Sequence, residues 1–554
     1  MDVIAGRKTG GKIRGEILLN GHPATELAIR RSTGYCEQMD IHSVASTFRE
    51  ALTFSAFLRQ GSVIPDSQKY DSVNECLELL DLNSIADHIV RGSSMEQMKR
   101  LTIGVELAAQ PSVLFLDEPT SGLDARSAKL IMDGVRKVAD TGRTIVCTIH
   151  QPSTVVFQVF DSLLLLKRGG EMVFFGELGS KAVELVNYFE AIDGVANLEP
   201  DYNPATWMLE VIGAGVGKVG SDPTDFVAHF KESEQNRLLQ SNLDREGVTR
   251  PSPLLPALTF GHKRAASNMI QAKLLVMRFF NLYWRTASYN LTRMVISVIL
   301  GLLFGITYIG VDYSSYQGLN SGMGMIFMAA SYITFITLSG VLPIAYQERV
   351  VYYRERAGQT YNAFWYFIGA TIVEIPYCFV STLIFLIIFY PMVGFTGVGN
   401  FFTFWFCLSL LVLMNSYVGQ LLIYILPSLG VASVFALLIN TIVILFTGMN
   451  PPVASLPRGY VWLYHANPNK YTFASLTAIV FAACDGDGNG PGCQVMTGIP
   501  PTLANDTTVE EYMESLFWIK HSEIWSNCGY VVVWIVFLRL LALVALRYVN
   551  LTKR

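Results

Sequence analysis

Residues 112–124 read Ser-Val-Leu-Phe-Leu-Asp-Glu-Pro-Thr-Ser-Gly-Leu-Asp, an apolar run that ends in two carboxylates. The apolar part, residues 113–116, has the length and composition of a strand buried in a parallel sheet. Asp117 and Glu118 then fall at the carboxyl end of the strand, where α/β folds place their ligand crevice. One such carboxylate can hold Mg²⁺ and a second can orient an attacking water. Taken alone, however, an Asp-Glu pair is more often simply solvated.

Two other polar residues follow apolar runs in the first half of the chain. Residues 144–148 (Thr-Ile-Val-Cys-Thr) form a second β-branched run, and His150 comes two residues later. An imidazole at the end of a neighbouring strand can contact a terminal phosphate. Gln38 follows a third possible strand upstream. Its side chain can coordinate a metal ion or a water. The ends of the predicted strands therefore carry residue types that are used in phosphoryl transfer.

A helix start lies between these segments. Residues 93–100 read Ser-Ser-Met-Glu-Gln-Met-Lys-Arg and open the helical stretch 101–109. Ser94 is a favourable N-cap residue. A helix N-terminus at this point would favour binding of a phosphate.

An ordered series of motifs in this half resembles the nucleotide-binding domain of ABC transporters. In that family the motifs are the Q-loop, the signature, Walker B, the D-loop and the switch histidine. Their counterparts here, in chain order, are Gln38, residues 94–97, Asp117-Glu118, residues 121–124 and His150. The resemblance implies an α/β nucleotide-binding domain followed by an all-α transmembrane domain of six helices. It extends over essentially the whole chain.

The same resemblance implies a role for each motif residue. Asp117 would help to hold Mg²⁺, Glu118 would be the general base, and His150 would sense the γ-phosphate of ATP. The remaining implied ATP or Mg²⁺ contacts are Gln38, Ser94, Gln97 and Asp124. Gln38 would also couple the site to the membrane domain, and the signature residues would complete the ATP site of an opposing domain.

Domain order and three phrases narrow the resemblance to the G subfamily and its pleiotropic-drug-resistance type. The nucleotide-binding domain precedes the spans, as in that subfamily. The phrases are Arg-Leu-Thr-Ile-Gly-Val-Glu-Leu from residue 100, Asn-Pro-Ala-Thr-Trp-Met-Leu-Glu-Val from residue 203 and Glu-Arg-Val-Val-Tyr-Tyr-Arg-Glu-Arg from residue 348.

The sequence departs from the family in two places. The phosphate-cradling loop Gly-x₄-Gly-Lys-Ser/Thr is absent from the printed sequence, and in relatives it precedes a phrase like residues 1–8. We therefore expect a chain truncated after the Walker A loop. The signature Ser-Ser-Met-Glu-Gln replaces the usual Leu-Ser-Gly-Gly-Gln, and Met95 and Glu96 should hinder backbone approach to phosphate. Tandem relatives often show such a signature in their second half, so the chain resembles a C-terminal half.

The composition divides the chain into two parts. The 554 residues are 51% apolar and 16% charged, and most of the charged residues lie in residues 1–270. This distribution excludes a wholly soluble enzyme and a disordered chain. No basic stripe indicates binding of nucleic acid. Apolar stretches of spanning length are predicted near residues 293–310, 322–344, 364–391, 401–425, 430–448 and 529–547.

Six spans would return the chain to its starting side, and the charges agree with that topology. The segments predicted as cytosolic carry the basic residues Arg278, Arg285, Arg293, Arg349, Arg354, Arg356, Arg547, Lys553 and Arg554. This follows the positive-inside rule. The acidic loop 449–528 would lie outside. Glu374 and Arg539 fall inside predicted spans, where a charge is either functional or a structural partner, and the structural role is favoured.

The outside loop contains Cys484 and Cys493, separated by a spacer rich in Gly and Asp. An oxidising compartment favours a disulfide between them. The run of Gly and Asp could also indicate a calcium loop, but the full spacing of ligands and the closing Glu are lacking, so a plain turn is favoured. Asn505 begins a glycosylation sequon on the same side.

These observations predict four segments: a nucleotide-binding domain (1–212), a linker (213–266), an amphipathic connecting helix (267–292) and a transmembrane domain (293–554). The expected function is ATP-driven export of hydrophobic or amphipathic compounds, by an integral protein of the plasma membrane whose nucleotide-binding domain is cytosolic. The expected partners are a second nucleotide-binding and transmembrane half, the lipid bilayer and a hydrophobic small molecule. The alternative is a catalytically inert membrane partner.

Overall fold

A computed structural model describes residues 1–8, 11–213, 225–484, 490–501 and 503–551. Two compact units divide the chain, one built mainly from Met1–Ile270 and the other from Gln271–Arg356 with Tyr361–Lys553. The acidic residues Asp485 and Asp487 of the predicted outside loop lie outside the described residues. So do the predicted cytosolic residues Lys553 and Arg554.

The first unit mixes strands and helices. In chain order they are β1 (Leu18–Leu19), β2 (His22–Pro23), α1 (Glu26–Ser32), β3 (Thr33–Cys36), α2 (Phe48–Arg59), α3 (Asp66–Leu79), α4 (Met95–Leu107), β4 (Val113–Asp117), α5 (Ala125–Asp140), β5 (Thr144–Thr148), α6 (Thr154–Phe157), β6 (Ser162–Leu166), β7 (Met172–Glu177), α7 (Val183–Glu190), α8 (Pro204–Val211), α9 (Phe226–Glu232) and α10 (Glu234–Leu243).

A three-stranded parallel sheet forms the centre of this unit, in the order β3-β4-β5. The apolar run predicted as a buried strand is β4, and its Leu114 and Leu116 are fully buried. Leu116 lies opposite Cys36 of β3 and Cys147 of β5, so the three strands end together. Helices connect the parallel strands, as such crossovers require.

A second core lies around the β6-β7 hairpin. Phe174 of β7 packs with Phe189 of α7, and Phe189 packs in turn against Trp207 of α8 and Phe226 of α9. Phe226 and Phe230 lie inside the stretch predicted as a linker, yet both are buried in this core. Part of the region 213–266 is therefore folded, because its apolar residues recur at helical spacing and cover the hairpin.

The second unit is helical. In chain order its α-helices are α11 (Asn268–Arg285), α12 (Ala287–Thr307), α13 (Tyr316–Ala357), α14 (Ala363–Met392), α15 (Val398–Ile425), α16 (Leu429–Leu445), α17 (Val461–Ala466), α18 (Asn469–Phe481), α19 (Val509–Phe517) and α20 (Ile524–Tyr548).

Five helices of the described residues are long and apolar enough to cross a membrane: α12, α13, α14, α15 and α20. The span predicted at residues 430–448 corresponds to α16, which is apolar but only 17 residues long. The predicted connecting helix 267–292 is divided, because α11 ends at Arg285 and α12 begins at Ala287. Arg293 thus lies inside a long apolar helix rather than ahead of it.

The region between α16 and α20 folds into short helices. Cys484 and Cys493 are joined by a disulfide, which is the pairing favoured by the sequence. The backbone N–H of Gly492 donates to the carbonyl of Ala483, so hydrogen bonding also closes the loop.

Candidate functional site

Four of the motif residues lie at the carboxyl end of the parallel sheet. Asp117 ends β4, and Glu118 follows it directly. Gln38 lies two residues after β3, and His150 lies two residues after β5. Because the strands are parallel and in register, their ends reach the same edge of the sheet.

Asp117 lies between hydroxyl groups of both neighbouring strands. The Thr148 hydroxyl of β5 donates to Oδ1 of Asp117 at 2.7 Å, and the Tyr35 hydroxyl of β3 lies 3.4 Å from Oδ2. The register explains the first bond, since Asp117 and Thr148 are direct neighbours across the sheet. The carboxylate is therefore oriented by one neutral donor, the Thr148 hydroxyl, because the Tyr35 hydroxyl donates its hydrogen to Asp2.

Glu118 leaves the strand in a left-handed conformation, with φ of 47°. This conformation is uncommon for a residue with a Cβ atom and occurs in turns and at active sites. The backbone N–H of Glu118 donates to the Thr148 hydroxyl oxygen at 3.0 Å, which fixes the turn. The Gln38 amide nitrogen donates to Oε2 of Glu118 at 2.8 Å. Gln38 and Glu118 are thus brought into contact from different strands.

A cavity of about 400 Å³ opens beside Glu118. His150 lines the same cavity, and so does the turn formed by Thr120, Ser121 and Gly122. The imidazole is exposed, and Gln151 after it has φ of 44°, so the chain turns sharply at this point as well. The carboxylate and the imidazole therefore face one polar cleft.

Asp124 caps the helix that follows this turn. It is the N-cap of α5, and its side chain accepts a hydrogen bond from the backbone N–H of Arg126. Hydrogen bonding from Ser127 lowers the pKa of the Asp124 carboxyl, so the side chain is an exposed anion at a helix N-terminus.

The predicted signature residues lie at the start of α4, as expected. Ser94 is the N-cap, its hydroxyl accepts from the backbone N–H of Gln97, and the Gln97 side chain accepts from the backbone N–H of Ser94. This capping box satisfies two N–H groups that a helix start otherwise leaves unpaired. Ser94 and Gln97 therefore contact each other rather than the residues at the strand ends.

Hydrogen bonds and an ion pair join α4 to the segment that follows β3 and contains Gln38. Lys99 of α4 is buried, and its ammonium donates to the carbonyl of Gln38 at 2.9 Å. The same ammonium lies 3.2 Å from Oδ2 of Asp40. Thr102, one turn further along α4, donates to Oδ1 of Asp40 at 2.6 Å. The helix start and the segment after β3 are held together by these contacts.

Sequence reasoning missed Thr148, Tyr35 and Lys99. Thr148 and Tyr35 carry hydroxyls within strands, where they read as ordinary β-formers. The available signal was position: Thr148 is the last residue of the run that precedes His150. Lys99 lies within residues 93–100, but its partner Gln38 is 61 residues away, and spacing alone does not reveal the contact.

The donor set at the strand ends fits a magnesium nucleotide. Mg²⁺ prefers oxygen ligands such as carboxylates and retains several waters. Asp117 supplies carboxylate oxygens, and Gln38 directs its amide nitrogen to Glu118, which leaves its amide oxygen as a further oxygen donor. Groups of three or more His, Cys, Asp or Glu with metal-site geometry are not found among the described residues.

The buried charges of the second unit form a different kind of cluster. Glu374 is fully buried and lies 3.2 Å from Arg293. Its carboxylate also accepts from Tyr283 at 2.8 Å, from Tyr289 at 2.6 Å and from Ser416 at 2.7 Å. The structural role favoured for Glu374 by the sequence agrees with these contacts.

Arg278, predicted to be cytosolic, and Arg539, predicted inside a span, are also buried. The Arg278 guanidinium lies between Glu355, at 2.7 Å, and Glu348, at 2.9 Å. Arg539, inside α20, donates to Gln420 at 2.7 Å and stacks over Tyr417. Each buried arginine joins helices that are far apart in the sequence, because a buried charge is tolerated only when it is paired or hydrogen-bonded.

Three family models match successive parts of the chain. Residues 1–121 match the ABC transporter family, residues 270–481 match the ABC-2 type transporter family, and residues 485–554 match the CDR ABC transporter family. The order of the matches agrees with a nucleotide-binding domain that precedes a membrane domain.

Similar curated proteins are transporters of plants. ABC transporter G family member 38 of Oryza sativa subsp. japonica is 41% identical over 86% of this chain and 32% of its own length. Pleiotropic drug resistance protein 1 of Nicotiana tabacum is 38% identical over 94% of this chain and 36% of its own length. ABC transporter G family member 36 of Arabidopsis thaliana is 36% identical over 100% of this chain and 37% of its own length. The chain thus spans about a third of the length of these relatives, and it belongs to the G family of ABC transporters, of the pleiotropic drug resistance type.

Proposed function

We propose that the protein is an ATP-driven transporter and that the ends of the parallel strands form its hydrolytic site. The proposal depends on one observation above all. Glu118 follows the central strand, accepts a hydrogen bond from Gln38 and faces the same cavity as His150. A carboxylate and an imidazole facing one polar cleft suit an attacking water and a terminal phosphate.

Each residue has a distinct task in this proposal. Asp117, held by Thr148, would bind Mg²⁺ together with the amide oxygen of Gln38. Glu118 would accept a proton from the attacking water, and His150 would donate a hydrogen bond to the terminal phosphate. The bound Mg²⁺ would neutralise part of the charge on the phosphates.

Ser94, Gln97 and Asp124 would act on a nucleotide held mainly by a second nucleotide-binding domain. They lie at the N-termini of α4 and α5, where backbone N–H groups and the helix dipole favour anions. In this proposal the partner is the nucleotide-binding and transmembrane half found in longer relatives.

The membrane unit would supply the transport path. We propose six spans, formed by the five long helices and α16, with the region 449–528 outside and the nucleotide-binding domain (1–212) in the cytosol. Residues 213–266 would connect the two domains, α11 would lie along the membrane surface, and residues 293–554 would form the transmembrane domain. We propose export of hydrophobic or amphipathic compounds across the plasma membrane, and the apolar spans and the name of the tobacco relative support this proposal.

Glu118→Gln tests the hydrolytic site. The natural polypeptide that carries this chain is purified and returned to lipid vesicles, and Mg²⁺-dependent release of phosphate from ATP is measured. Loss of a general base lowers turnover by about 10²- to 10⁴-fold. Glu177→Gln, at the exposed end of β7, is the matched control and should retain the wild-type rate.

Unchanged turnover in Glu118→Gln would refute the proposed base.

ATP-dependent accumulation of a fluorescent hydrophobic compound in the lumen of inside-out vesicles tests the direction of transport. Accumulation supports export, and its absence alongside normal ATP hydrolysis would contradict it.

A further inference from the structure

Two thiols of the membrane unit lie unusually close together. Cys407 belongs to α15 and Cys528 to α20, and their sulfur atoms are 2.8 Å apart. Both side chains are buried, with 1% and 6% of their surface exposed. Atoms that are not bonded prefer separations of about 3.5–4.0 Å. The two sulfurs are therefore closer together than an ordinary nonbonded contact.

The helix packing brings these sulfurs together without a strained loop. Both residues lie within regular helices, α15 (Val398–Ile425) and α20 (Ile524–Tyr548), which pack directly against each other. A disulfide has an S–S length of about 2.05 Å, so the two sulfurs need to move together by less than 1 Å. A rotation of the side chains can supply such a movement.

The start of α20 contacts α18, the helix that leads to the disulfide of the structure. The Ser475 hydroxyl of α18 lies 3.4 Å from the carbonyl of Ile524, the first residue of α20. Cys484 follows the end of α18 by three residues and is bonded to Cys493. Cys528 lies four residues after the start of α20, so it is near the end of the helix that contacts α18.

The other described free thiols have different surroundings. Cys36 donates to the carbonyl of Thr102, and Cys378 contacts Glu374. Cys76 is buried in the first unit, where burial raises the pKa of its thiol to about 12. Among the described cysteines that are free, Cys407 and Cys528 are the pair whose sulfurs lie in contact.

We propose that Cys407 and Cys528 form a second disulfide, which joins α15 to α20 in the mature protein. The two thiols lose two protons and two electrons as the S–S bond forms. A protein disulfide of an oxidoreductase in the folding compartment accepts both and is reduced to a dithiol. The oxidising environment depends on the membrane topology proposed above, in which the region 449–528 lies outside.

Mass spectrometry of the protein taken directly from membranes tests the proposal. Free thiols are blocked with N-ethylmaleimide in denaturant before any reduction, and the digest is searched for cross-linked peptides. The expected result is a peptide pair that joins Cys407 to Cys528 and disappears after reduction, alongside the pair that joins Cys484 to Cys493.

The disulfide Cys484–Cys493 is an internal control that distinguishes the two ways in which the proposal can fail. If Cys407 and Cys528 are both alkylated while Cys484–Cys493 remains bonded, the second disulfide is refuted and the topology stands. If all four cysteines are alkylated, the region is exposed to a reducing compartment, and both the disulfide and the proposed topology are refuted.

A redox-dependent stability measurement supplies a second readout. In the absence of reductant, Cys407→Ser should lower the midpoint of thermal unfolding by several degrees, because the bond constrains residues 121 positions apart. With reductant present, the variant and the wild type should unfold at similar temperatures. Cys76→Ser is the control, because its effect should not depend on reductant. Equal effects of Cys407→Ser with and without reductant would overturn the proposal.

Discussion

Two carboxylates of this molecule, Glu118 and Glu374, lie in opposite surroundings. Glu118 is half-buried beside a polar cavity, and Gln38, a neutral residue, donates to its side chain. Glu374 is fully buried and is paired with Arg293, with two tyrosines and a serine completing its hydrogen bonds. The charge of Glu374 is already compensated within the protein, whereas that of Glu118 faces solvent. This contrast agrees with the proposed role of Glu118 in chemistry and with a structural role of Glu374 in holding helices together.

The largest effect on stability is expected from Glu374→Gln. The substitution leaves the buried Arg293 guanidinium without its counter-charge, and breaking a buried pair costs about 3–5 kcal/mol. The midpoint of thermal unfolding in detergent measures the loss. The double variant Glu374→Leu/Arg293→Met should recover most of it, because neither partner is then left charged and alone. An unchanged midpoint in the single variant would show that the pair carries little of the stability.

Thr148→Val should affect the hydrolytic site more than the fold. The hydroxyl orients Asp117 and accepts from the backbone N–H of Glu118, and an unpaired donor costs about 1–3 kcal/mol. If about 1.4 kcal/mol of this cost appears in the barrier, turnover falls about tenfold. Phosphate release from ATP measures the change. Thr144→Val, at the exposed start of the same strand, is the matched control and should leave turnover unaltered.

The sequence predicted the parts of the site that depend on local order. The apolar run before Asp117, the cap at Ser94 and the carboxylate pair are read from neighbouring residues, and the structure places them as expected. The partnership of Glu374 with Arg293 could not be read in this way, because 81 residues separate them and helix packing decides which faces meet.

Other differences have similar physical causes. Arg293 reads as a positive charge ahead of a span, but one turn of the helix brings it beside Tyr289, whose hydroxyl helps to solvate the guanidinium. Phe226 and Phe230 follow a stretch rich in Gly, so composition favours a linker. Tertiary packing against the β6-β7 hairpin overrides that composition, and only the structure shows the apolar surface that they cover.

A smaller effect is expected at Ser94. Substitutions there can distinguish a residue that only caps α4 from one that also contacts a nucleotide. Ser94→Ala removes the cap of α4 and should lower the free energy of unfolding of the first unit by about 1 kcal/mol, whereas Ser94→Gly should cost only a few tenths. Chemical denaturation monitored by tryptophan fluorescence measures this loss. If Ser94 also contacts a nucleotide in the assembled transporter, both variants should raise KM for ATP. A stability loss without any change in KM would limit Ser94 to its capping role.

The most direct test of the central claim is the shift of the unfolding midpoint that saturating Mg²⁺ and ATP produce in the natural polypeptide that carries this chain. A ligand at about 100 times its Kd stabilises a protein by about 2.7 kcal/mol, so the wild-type midpoint should rise by several degrees. Asp117→Asn retains the shape of the side chain but removes the charge that would hold Mg²⁺, and it should lose most of that rise. An equal rise in Asp117→Asn and the wild type would contradict a magnesium nucleotide site at the ends of the parallel strands.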